Sequence, residues 1–365
     1  MTYLRKVESA LEAIRSQDRY REVTADPPKY VADFSRNDYL ALATDSRMIE
    51  AMRYVKAAGA GGARLLGGRH REHALLEADI ARWLGRERAL LFSSGYLAAL
   101  GAVQVLTGLV DAVYSDELNH ASLIDGMRAA KVERHIYPHA QLPALQTRTS
   151  PALIVTESLF GMDGDTIDVA RVLAQAGTDD IVLVDEAHAL GVLGDEGAGL
   201  AHGIDGLRVV VLGTLSKAAG AAGGFIAGPS ALIELLVNTA RTFIFDTALP
   251  PAIAFAARVG VMLLRGAGDR RSRLYANVRH LHGGLRQFGL RVPRECVPIV
   301  PVYAGSERAA IELMNRALER GVFAPAVRPP TVPAGESRLR VSVRSDHTKE
   351  QIDLLLECLA STVTS

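Results

Sequence analysis

The feature that most constrains the fold is a series of five short apolar runs that alternate with helical stretches. The runs are ALLFS (89–93), AVYS (112–115), ALIVTE (152–157), IVLVDEAH (181–188) and VVVLGTLSK (209–217). Apolar runs of this length are typical of strands that are buried on both faces. Helices between such strands indicate parallel neighbours. We therefore expect an α/β fold with a mainly parallel central sheet and helices on both faces.

Three regions of different pattern divide the chain. Residues 1–36 begin with a charged amphipathic helix, and residues 37–249 carry the alternating strands and helices of a large α/β domain. After about residue 248 come two long helical stretches, the strand-like runs PIVPVYAG and RLRVSVR, and a terminal helix. This pattern predicts a small α+β domain over residues 250–365, and we place the boundary near Pro250-Pro251.

The composition excludes several classes of protein. Hydrophobic residues make up 48% of the 365 residues, so a sizeable core is available, and 41 basic residues balance 41 acidic ones. A zero net charge gives no reason to expect nucleic acid or an anionic membrane as partner. Two cysteines, Cys296 and Cys358, are too few for a disulfide framework or a zinc cluster. The N-terminal helix lacks the apolar core of a signal peptide, and we expect a cytoplasmic protein that binds no membrane and no metal.

Polar residues collect where the predicted strands end. In open parallel sheets, ligands bind outside the carboxyl ends of the strands. The five ends carry Ser93-Ser94-Gly95, Asp116 to His120, Glu157-Ser158, Asp185 with His188, and Thr214 to Lys217. One such end means little, but five that converge predict a single site.

Lys217 and Asp185 carry the strongest chemical signal at these ends. Lys217 is followed by small residues, and a partly desolvated lysine there has a lowered pKa and becomes a nucleophile. The alternative is an ordinary solvated loop lysine. Asp185 ends a buried-looking strand, where a carboxylate needs a cation such as a pyridinium nitrogen. The alternative for Asp185 is a helix N-cap.

Three further features suit a ligand that contains an aromatic pyridinium ring, a ring hydroxyl and a phosphate. Ser94, Gly95 and Tyr96 open a helix, and N–H groups at a helix start form a phosphate site. His120 could stack flat on an aromatic ring, or it could simply cap the helix that follows. His188 could hydrogen-bond a ring hydroxyl, or it could be a structural histidine. Together these features indicate a pyridoxal-phosphate enzyme with the cofactor held as a Schiff base on Lys217.

The chain resembles the α-oxoamine synthases of the fold-type I pyridoxal-phosphate enzymes, from about Leu11 to the C-terminus. The segments that carry the resemblance are FSRNDYLAL, GAGGARLLGGRHREHALLE, LFSSGYLAALGA, DELNHASLIDG, ESLFGMDGD, VDEAHALGVLG, TLSKAAGAAGG, FDTALPPA and RPPTVPAGESRLRVSV. The resemblance implies a transferase of fold type I that acts as a homodimer. It also implies that Lys217 carries the Schiff base and moves the α-proton, while Asp185 pairs with the pyridine nitrogen, His188 with the ring oxygen, and His120 stacks on the ring.

The resemblance assigns the phosphate to Ser94, Gly95 and Tyr96 at the helix start and to the Thr214 hydroxyl. Thr247 should reach the phosphate bound by the other subunit, so that a complete site requires the homodimer.

The resemblance also implies where the substrates bind. Asn37 and Arg340 should hold the amino-acid carboxylate, with His120 beside it and with a bidentate contact from Arg340. Arg338 shares the strand face of Arg340, and both could instead be solvated arginines on an exposed face. Arg21 and Thr331 match positions that handle the acyl substrate.

Two positions depart from the family pattern. Gly161 stands where the family usually has a serine that touches the cofactor, so one side-chain hydrogen bond is missing or is replaced by backbone. Ser216 stands where many members have glycine.

The family condenses a small amino acid with an acyl thioester and releases CO₂. The segment RPPTVPAGESRLR most resembles the biotin-pathway members that join L-alanine to a pimeloyl thioester, carried by CoA or by an acyl carrier protein. Members that act on glycine or serine, such as glycine acetyltransferase, 5-aminolevulinate synthase and serine palmitoyltransferase, are the alternatives. An aminotransferase or a non-catalytic partner subunit is a weaker alternative, as is a transcription regulator.

Overall fold

The computed structural model of the protein describes residues 2–23 and 30–360, which form two compact units. The first unit comprises the described residues of Met1–Arg36, Met162–Gly164 and Ser272–Ser365. The second unit comprises Asn37–Gly161 and Asp165–Arg271. The second unit therefore contains all five strand ends on which the sequence predicts a site.

The helices of the described chain are α1 Tyr3–Ser16, α2 Ser46–Arg53, α3 Arg71–Leu84, α4 Gly95–Leu106, α5 Ala121–Arg128, α6 Val169–Gln175, α7 Ser230–Thr239, α8 Arg241–Ile244, α9 Pro251–Arg265, α10 Gly268–Gln287, α11 Glu307–Glu319 and α12 Lys349–Ala360. The strands are β1 Ala32–Asp33, β2 Arg88–Phe92, β3 Ala112–Asp116, β4 Glu133–Tyr137, β5 Ala152–Glu157, β6 Ile181–Asp185, β7 Val209–Thr214, β8 Gly224–Gly228, β9 Ile299–Gly305, β10 Val322–Phe323, β11 Ala326–Val327 and β12 Ser337–Ser342. None of the described helices is by itself long and apolar enough to span a membrane, and α9 with α10 passes that test only as a pair bent by 73°.

The second unit contains a seven-stranded sheet in the order β2-β8-β7-β6-β5-β3-β4. The neighbours from β7 to β4 pair in parallel, whereas β8 pairs antiparallel with both β7 and β2. The expected mainly parallel sheet is therefore confirmed. Two of its strands, β4 and β8, are not among the five apolar runs that the sequence predicts.

Both faces of this sheet are buried, as the uninterrupted apolar runs require. Leu153, Leu183 and Val210 lie on one face and pack with apolar residues of α4, α5 and α7. Their chain neighbours on the other face, such as Val182 and Val209, are also fully buried. Strands of this kind are shielded by structure on both sides, and their carboxyl ends are left as the open edge.

The change of pattern near Pro250 is not where the two units divide. Helix α9 begins at Pro251, and it packs against α2 and α3 within the second unit. The division falls between Arg271 and Ser272, so α9 extends the large unit beyond the expected boundary at residue 249. The apolar face of α9 explains this, because Ala254, Val261 and Leu264 are buried.

The first unit is built on a three-stranded antiparallel sheet in the order β11-β12-β9. A short parallel pair joins β1 to β10, which brings the chain before Arg36 together with the C-terminal region. Helix α11 packs against β9 and β12, and its own buried residues lie at helical spacing: Ala310, Leu313 and Ala317. Helices and strands of this unit thus come both from the C-terminal region and from the region before Arg36, which the sequence analysis treats as a separate segment.

Candidate active site

A cavity of about 280 Å³ lies at the carboxyl ends of the parallel strands of the second unit. Its walls are formed by Ser94, Gly95, Tyr96, His120, Ser122, Glu157, Asp185, Ala187, His188, Leu212, Gly213, Thr214, Ser216 and Lys217. Eight of these residues are predicted cofactor contacts, so the structure brings together all of that set except Thr247. The convergence follows from parallel pairing, because it places strand ends such as Glu157 and Asp185 in register.

A larger cavity of about 580 Å³ is formed largely by α3 and α9, away from the strand ends. Its charged side chains pair with one another or with neighbouring residues. Arg258 contacts Asp79 at 2.6 Å, and Arg265 contacts Glu196 at 2.9 Å. Size alone therefore does not identify the site, and the smaller cavity holds the reactive side chains.

Lys217 enters the cavity directly beside His188. Lys217 Nζ lies 2.7 Å from His188 Nε2, and the other ring nitrogen of His188 lies 2.7 Å from the hydroxyl of Tyr39. The Tyr39 hydroxyl is also 3.3 Å from Asn37 Oδ1, so four side chains form one hydrogen-bonded path. The alternative of a solvated loop lysine is excluded by this geometry. Sequence reasoning missed Tyr39, although it lies in the segment FSRNDYLAL.

Two carboxyl groups line the cavity, Asp185 at the end of β6 and Glu157 at the end of β5. Burial raises the pKa of Asp185, and nearby Lys217 partly opposes that change. Burial raises the pKa of Glu157 further, and the neighbouring Asp185 charge adds to this. The pKa of both buried carboxyl groups is therefore raised, and the rise is larger at Glu157 than at Asp185. The sequence analysis places Glu157 among the converging strand ends but assigns it no role in binding or catalysis.

The Asp185 side chain accepts the N–H of Ala187 at 2.8 Å, within a turn and not at a helix start. Its neighbour Glu186 points into the protein, where it accepts the Ser158 hydroxyl and the Ala201 N–H, each at 2.6 Å. Burial raises the pKa of Glu186 to about 7, although these hydrogen bonds act to lower it. Glu186 anchors the turn, so Asp185 is presented to the cavity by a fixed segment.

The start of α4 forms the opposite end of the cavity. Ser94 caps the helix by accepting the N–H of Leu97 at 3.2 Å, and the N–H groups of the first turn have no partner within the helix. A Cβ at Gly95 would lie 3.1 Å from Thr214 Cβ, and a Cβ at Gly224 would lie 2.4 Å from Gly95 Cα. The two glycines therefore allow backbone and Thr214 to meet closely at this end.

Two hydroxyl groups stand beside the α4 start. Thr214 Oγ1 lies 2.8 Å from Ser216 Oγ and donates to the Gly223 carbonyl at 3.0 Å. Serine at position 216 thus adds a second hydroxyl to the end of the cavity where the helix presents its N–H groups. An anion such as a phosphate suits this arrangement.

His120 both caps α5 and faces the cavity, so the two interpretations of this residue are compatible. Its Nδ1 accepts the Ser122 N–H at 3.3 Å and lies 2.8 Å from the Ser122 hydroxyl. Desolvation lowers the pKa of His120, although the negative charge of Asp185 acts to raise it. The ring is therefore neutral and carries its proton on Nε2. A neutral flat ring at this wall suits stacking on a planar ligand.

A separate cluster of ionisable side chains links the end of β3 to two loops of the second unit. His139 lies between two aspartates, with Nδ1 3.0 Å from Asp116 and Nε2 2.6 Å from Asp165. Burial lowers the pKa of His139, but the two hydrogen-bonded aspartates reverse this and raise it to about 10. The imidazolium thus ties the end of β3 to the segment that follows Gly161.

The remaining predicted residues lie outside this cavity. Thr247 is exposed and forms an isolated bridge with Ala63. Arg21 and Thr331 are exposed residues of the first unit, and Arg340 lies on β12 of that unit. Their roles toward phosphate and substrates stay predictions.

The arginines of β12 are not solvated, which overturns the alternative of an exposed strand face. Arg338 is fully buried and contacts Asp163 at 2.5 Å and Glu336 at 2.8 Å. Arg340 is 5% exposed and donates to Ser342 Oγ at 2.6 Å. Each arginine is held by its own polar contacts, so the two are not interchangeable.

The cavity fits pyridoxal phosphate at each of its parts. Lys217 supplies an amine for the aldehyde carbon, and Asp185 supplies the buried carboxylate that a pyridinium nitrogen would neutralise. The start of α4, with Thr214 and Ser216, supplies N–H and hydroxyl donors for a phosphate. His120 supplies a neutral wall for the ring. The chemistry of the donor set therefore agrees with the cofactor that the sequence predicts.

Comparisons with known proteins agree with this site. A family model of class I and II aminotransferases matches residues 29–359. The chain is 42% identical to 8-amino-7-oxononanoate synthase of Methylococcus capsulatus over 97% of each chain. It is 44% identical to the enzyme of the same name from Anaeromyxobacter dehalogenans, over 89% of this chain and 84% of the relative.

Two solved structures illustrate the similarity of fold. Serine palmitoyltransferase from S. paucimobilis, with a bound adduct of pyridoxal phosphate and myriocin, superposes with a TM-score of 0.89 at 27% identity, over 98% of both chains. The 8-amino-7-oxononanoate synthase of Francisella tularensis superposes with a TM-score of 0.80 at 28% identity, over 91% of this chain and 98% of that one.

Proposed function

Because the chain belongs to the aminotransferase class I and II family, and within it to the α-oxoamine synthases, we propose that it catalyses a pyridoxal-phosphate-dependent decarboxylative condensation. The substrates are L-alanine and a pimeloyl thioester, and the products are 8-amino-7-oxononanoate, CO₂ and the free thiol, in biotin biosynthesis. The observation that carries the substrate assignment is the identity of 42–44% to relatives named for this product.

Different residues of the cavity perform the binding and proton-transfer steps of this reaction. When bound, pyridoxal phosphate supplies an electron sink for the charge left when the α-proton leaves the amino acid. Lys217 holds the cofactor and then accepts and returns the α-proton at Nζ. Asp185 keeps the ring nitrogen protonated, because a carboxylate opposite that nitrogen favours its cationic form. Thr214 and the start of α4 hold the phosphate.

We propose that Arg340 binds the amino-acid carboxylate and that Asn37 and His120 also contact the amino acid. A guanidinium grips a carboxylate with two parallel hydrogen bonds, which suits a substrate of this kind. Arg21 and Thr331 are proposed to contact the acyl chain of the thioester. The acyl carrier, whether CoA or an acyl carrier protein, is the second proposed partner.

The proposed active form is a homodimer in which Thr247 reaches the phosphate of the partner subunit. Support comes from exposed apolar residues in the segment GAGGARLLGG and next to Thr247. Leu66 is 84% exposed and Phe245 is 69% exposed, while Ala63 forms a bridge with Thr247. Large exposed apolar side chains that cluster in this way mark association surfaces. We further propose that the enzyme acts in the cytoplasm, in keeping with its two free cysteines, Cys296 and Cys358.

The proposal is tested by incubating the cofactor-loaded enzyme with pimeloyl-CoA and each of L-alanine, glycine and L-serine. We expect 8-amino-7-oxononanoate from L-alanine, identified by mass, together with one equivalent each of CO₂ and free thiol. The Lys217→Ala variant is the matched control and should give none. Release of a keto acid from alanine without thiol would indicate an aminotransferase, and a preferred product from serine or glycine would reassign the substrate.

A further inference from the structure

His188 is held on both of its ring nitrogens by side chains of the second unit. Nε2 lies 2.7 Å from Lys217 Nζ, and Nδ1 lies 2.7 Å from the hydroxyl of Tyr39. Tyr39 is fully buried, so its hydroxyl competes with no bulk water for this contact. The same hydroxyl is 3.3 Å from Asn37 Oδ1. The ring thus connects the reactive amine to a buried hydroxyl that has two possible acceptors.

Gly161 determines where this ring can stand. A Cβ at Gly161 would lie 2.4 Å from His188 Nε2, 2.8 Å from Cδ2 and 3.0 Å from Cε1. Any side chain at this position would have to push the ring away by about 1 Å to restore ordinary contact. A displacement of that size would disturb the two 2.7 Å hydrogen bonds of the ring unless Lys217 and Tyr39 moved with it. In this chain the glycine therefore allows the His188 ring to stand closer to the backbone at position 161 than a residue with a Cβ would.

The Tyr39 hydroxyl can serve both tautomers of a neutral imidazole. If it donates to Asn37, its oxygen accepts from Nδ1–H, and Nε2 is left as an acceptor toward Lys217. If it instead donates to Nδ1, the ring carries its proton on Nε2 and becomes a donor into the cavity. The two arrangements contain the same number of protons, so the ring changes tautomer without changing charge.

We propose that Gly161 and Tyr39 are positioning residues for His188: Gly161 sets the place of the ring, and Tyr39 lets Nε2 act as acceptor toward Lys217 or as donor to the ring oxygen of the cofactor. The inference rests on the proposed function, since a bound pyridoxal phosphate supplies that ring oxygen. When Lys217 is bonded to the cofactor, the tautomer of His188 that carries its proton on Nε2 can donate a hydrogen bond to the ring oxygen. The Tyr39 hydroxyl is the group that holds His188 in that form.

The first test is the pH at which the absorption band of the bound cofactor changes, measured for wild type and Tyr39→Phe. A donor to the ring oxygen favours the form of the bound cofactor with fewer protons, so weaker donation moves the midpoint to higher pH. Loss of one hydrogen bond corresponds to a shift of about half to one pH unit. The other titratable groups of the cavity, His120, Glu157 and Asp185, are the same in both proteins, so they cancel in the difference.

Tyr114→Phe is the matched control, because the Tyr114 hydroxyl also accepts from a side chain, Arg148 at 3.0 Å, but lies on β3 outside the cavity. It should leave the midpoint unchanged. Gly161→Ala should move the midpoint in the same direction as Tyr39→Phe. The double variant should shift it by less than the sum, because both changes act on one ring.

The second readout needs no cofactor. Imidazole ¹⁵N resonances of the cofactor-free protein, with His188→Gln to identify the signal, report which ring nitrogen carries the proton. We expect a different tautomer population in Tyr39→Phe. Wild-type protein without a Lys217-dependent band would contradict the proposed function itself. A wild-type band with an unmoved midpoint and unchanged ¹⁵N shifts in Tyr39→Phe would overturn this inference alone, and Tyr39→Phe decides the matter even if Gly161→Ala fails to fold.

Discussion

Substitution of Asp185 by asparagine separates a role toward the cofactor from a role in the fold. Asp185 is 6% exposed, and one of its oxygens accepts the Ala187 N–H at 2.8 Å. Asparagine has the same shape and keeps an oxygen for that contact, so the turn should survive. What it loses is the negative charge, which burial already disfavours, as the raised pKa of Asp185 indicates. The cofactor-free variant should therefore melt at the same temperature as wild type or higher.

The cofactor-loaded state should respond in the opposite direction. Loss of a charge-assisted hydrogen bond costs about 1.5–3 kcal/mol, which is about ten- to a hundred-fold in Kd. We expect the Kd for pyridoxal phosphate to rise by that factor, with a larger loss of kcat because the ring nitrogen is no longer kept protonated. Fluorescence titration gives the Kd, and thermal unfolding with and without cofactor gives the two stabilities.

Glu157→Gln is the matched control for this experiment. Glu157 ends the neighbouring strand in register with Asp185, and burial and the Asp185 charge raise its pKa further, which disfavours a negative charge at this position. Glutamine keeps the oxygen that accepts the His120 N–H at 2.7 Å. We expect at most a few-fold change in Kd. If both substitutions weaken binding equally, or if Asp185→Asn lowers the melting temperature of the cofactor-free protein, the reasoning about charge is refuted.

Three further predictions concern the substrate, the dimer and pH. Arg340→Lys should weaken L-alanine binding by about ten- to a hundred-fold and leave the cofactor absorbance unchanged. Arg344→Lys, just beyond β12, is the control and should leave L-alanine binding unchanged. Equal effects of the two substitutions in a substrate titration would refute the carboxylate site. Mixing Lys217→Ala chains with inactive Thr247→Arg chains should restore part of the activity, and a fully active monomer in sedimentation would contradict the shared site. The pKa of His139 is raised in the folded protein, so the stability that its charged form contributes is complete below about pH 6.5 and is lost as the pH rises toward 10. In urea unfolding of the cofactor-free protein, the free energy of unfolding of wild type should therefore exceed that of His139→Asn by less at higher pH, falling by roughly 1.4 kcal/mol per pH unit over this range. A difference that does not change with pH would refute the charged state of His139.

The parallel part of the sheet could be predicted because each of its inner strands is an uninterrupted apolar run. Strand β4, ERHIY, lies at the sheet edge and carries charged residues, so its composition does not distinguish it from a loop. Strand β8, GFIAG, begins and ends with glycine. It pairs antiparallel with β7, so it needs no connecting helix and does not follow the strand–helix alternation on which the prediction is based. Both depend on their neighbours in the sheet and not on a local pattern.

The same contrast holds for the site. Lys217, Asp185 and His120 follow predicted strands, and the carboxyl ends of parallel strands meet at one edge. Tyr39 reaches His188 from a segment without regular structure, 149 positions earlier in the chain, and no periodicity predicts such a contact. The burial of Arg338 likewise depends on Asp163, 175 positions away. Contacts between distant irregular segments are set by the folded chain, and a single sequence carries no local signal for them.

The most direct measurement of the central claim is reductive labelling of the cofactor-loaded enzyme with borohydride, followed by peptide mapping. The sequence contains six lysines, and only Lys217 lines the cavity among those that the structure describes. We expect a yellow protein, loss of its absorption band on reduction, and one phosphopyridoxyl group per chain on the peptide that contains Lys217. Lys217→Arg should fold and take up no label. A label on another lysine, or no label on wild-type protein that has been saturated with pyridoxal phosphate, would contradict the assignment of Lys217 and with it the proposed function.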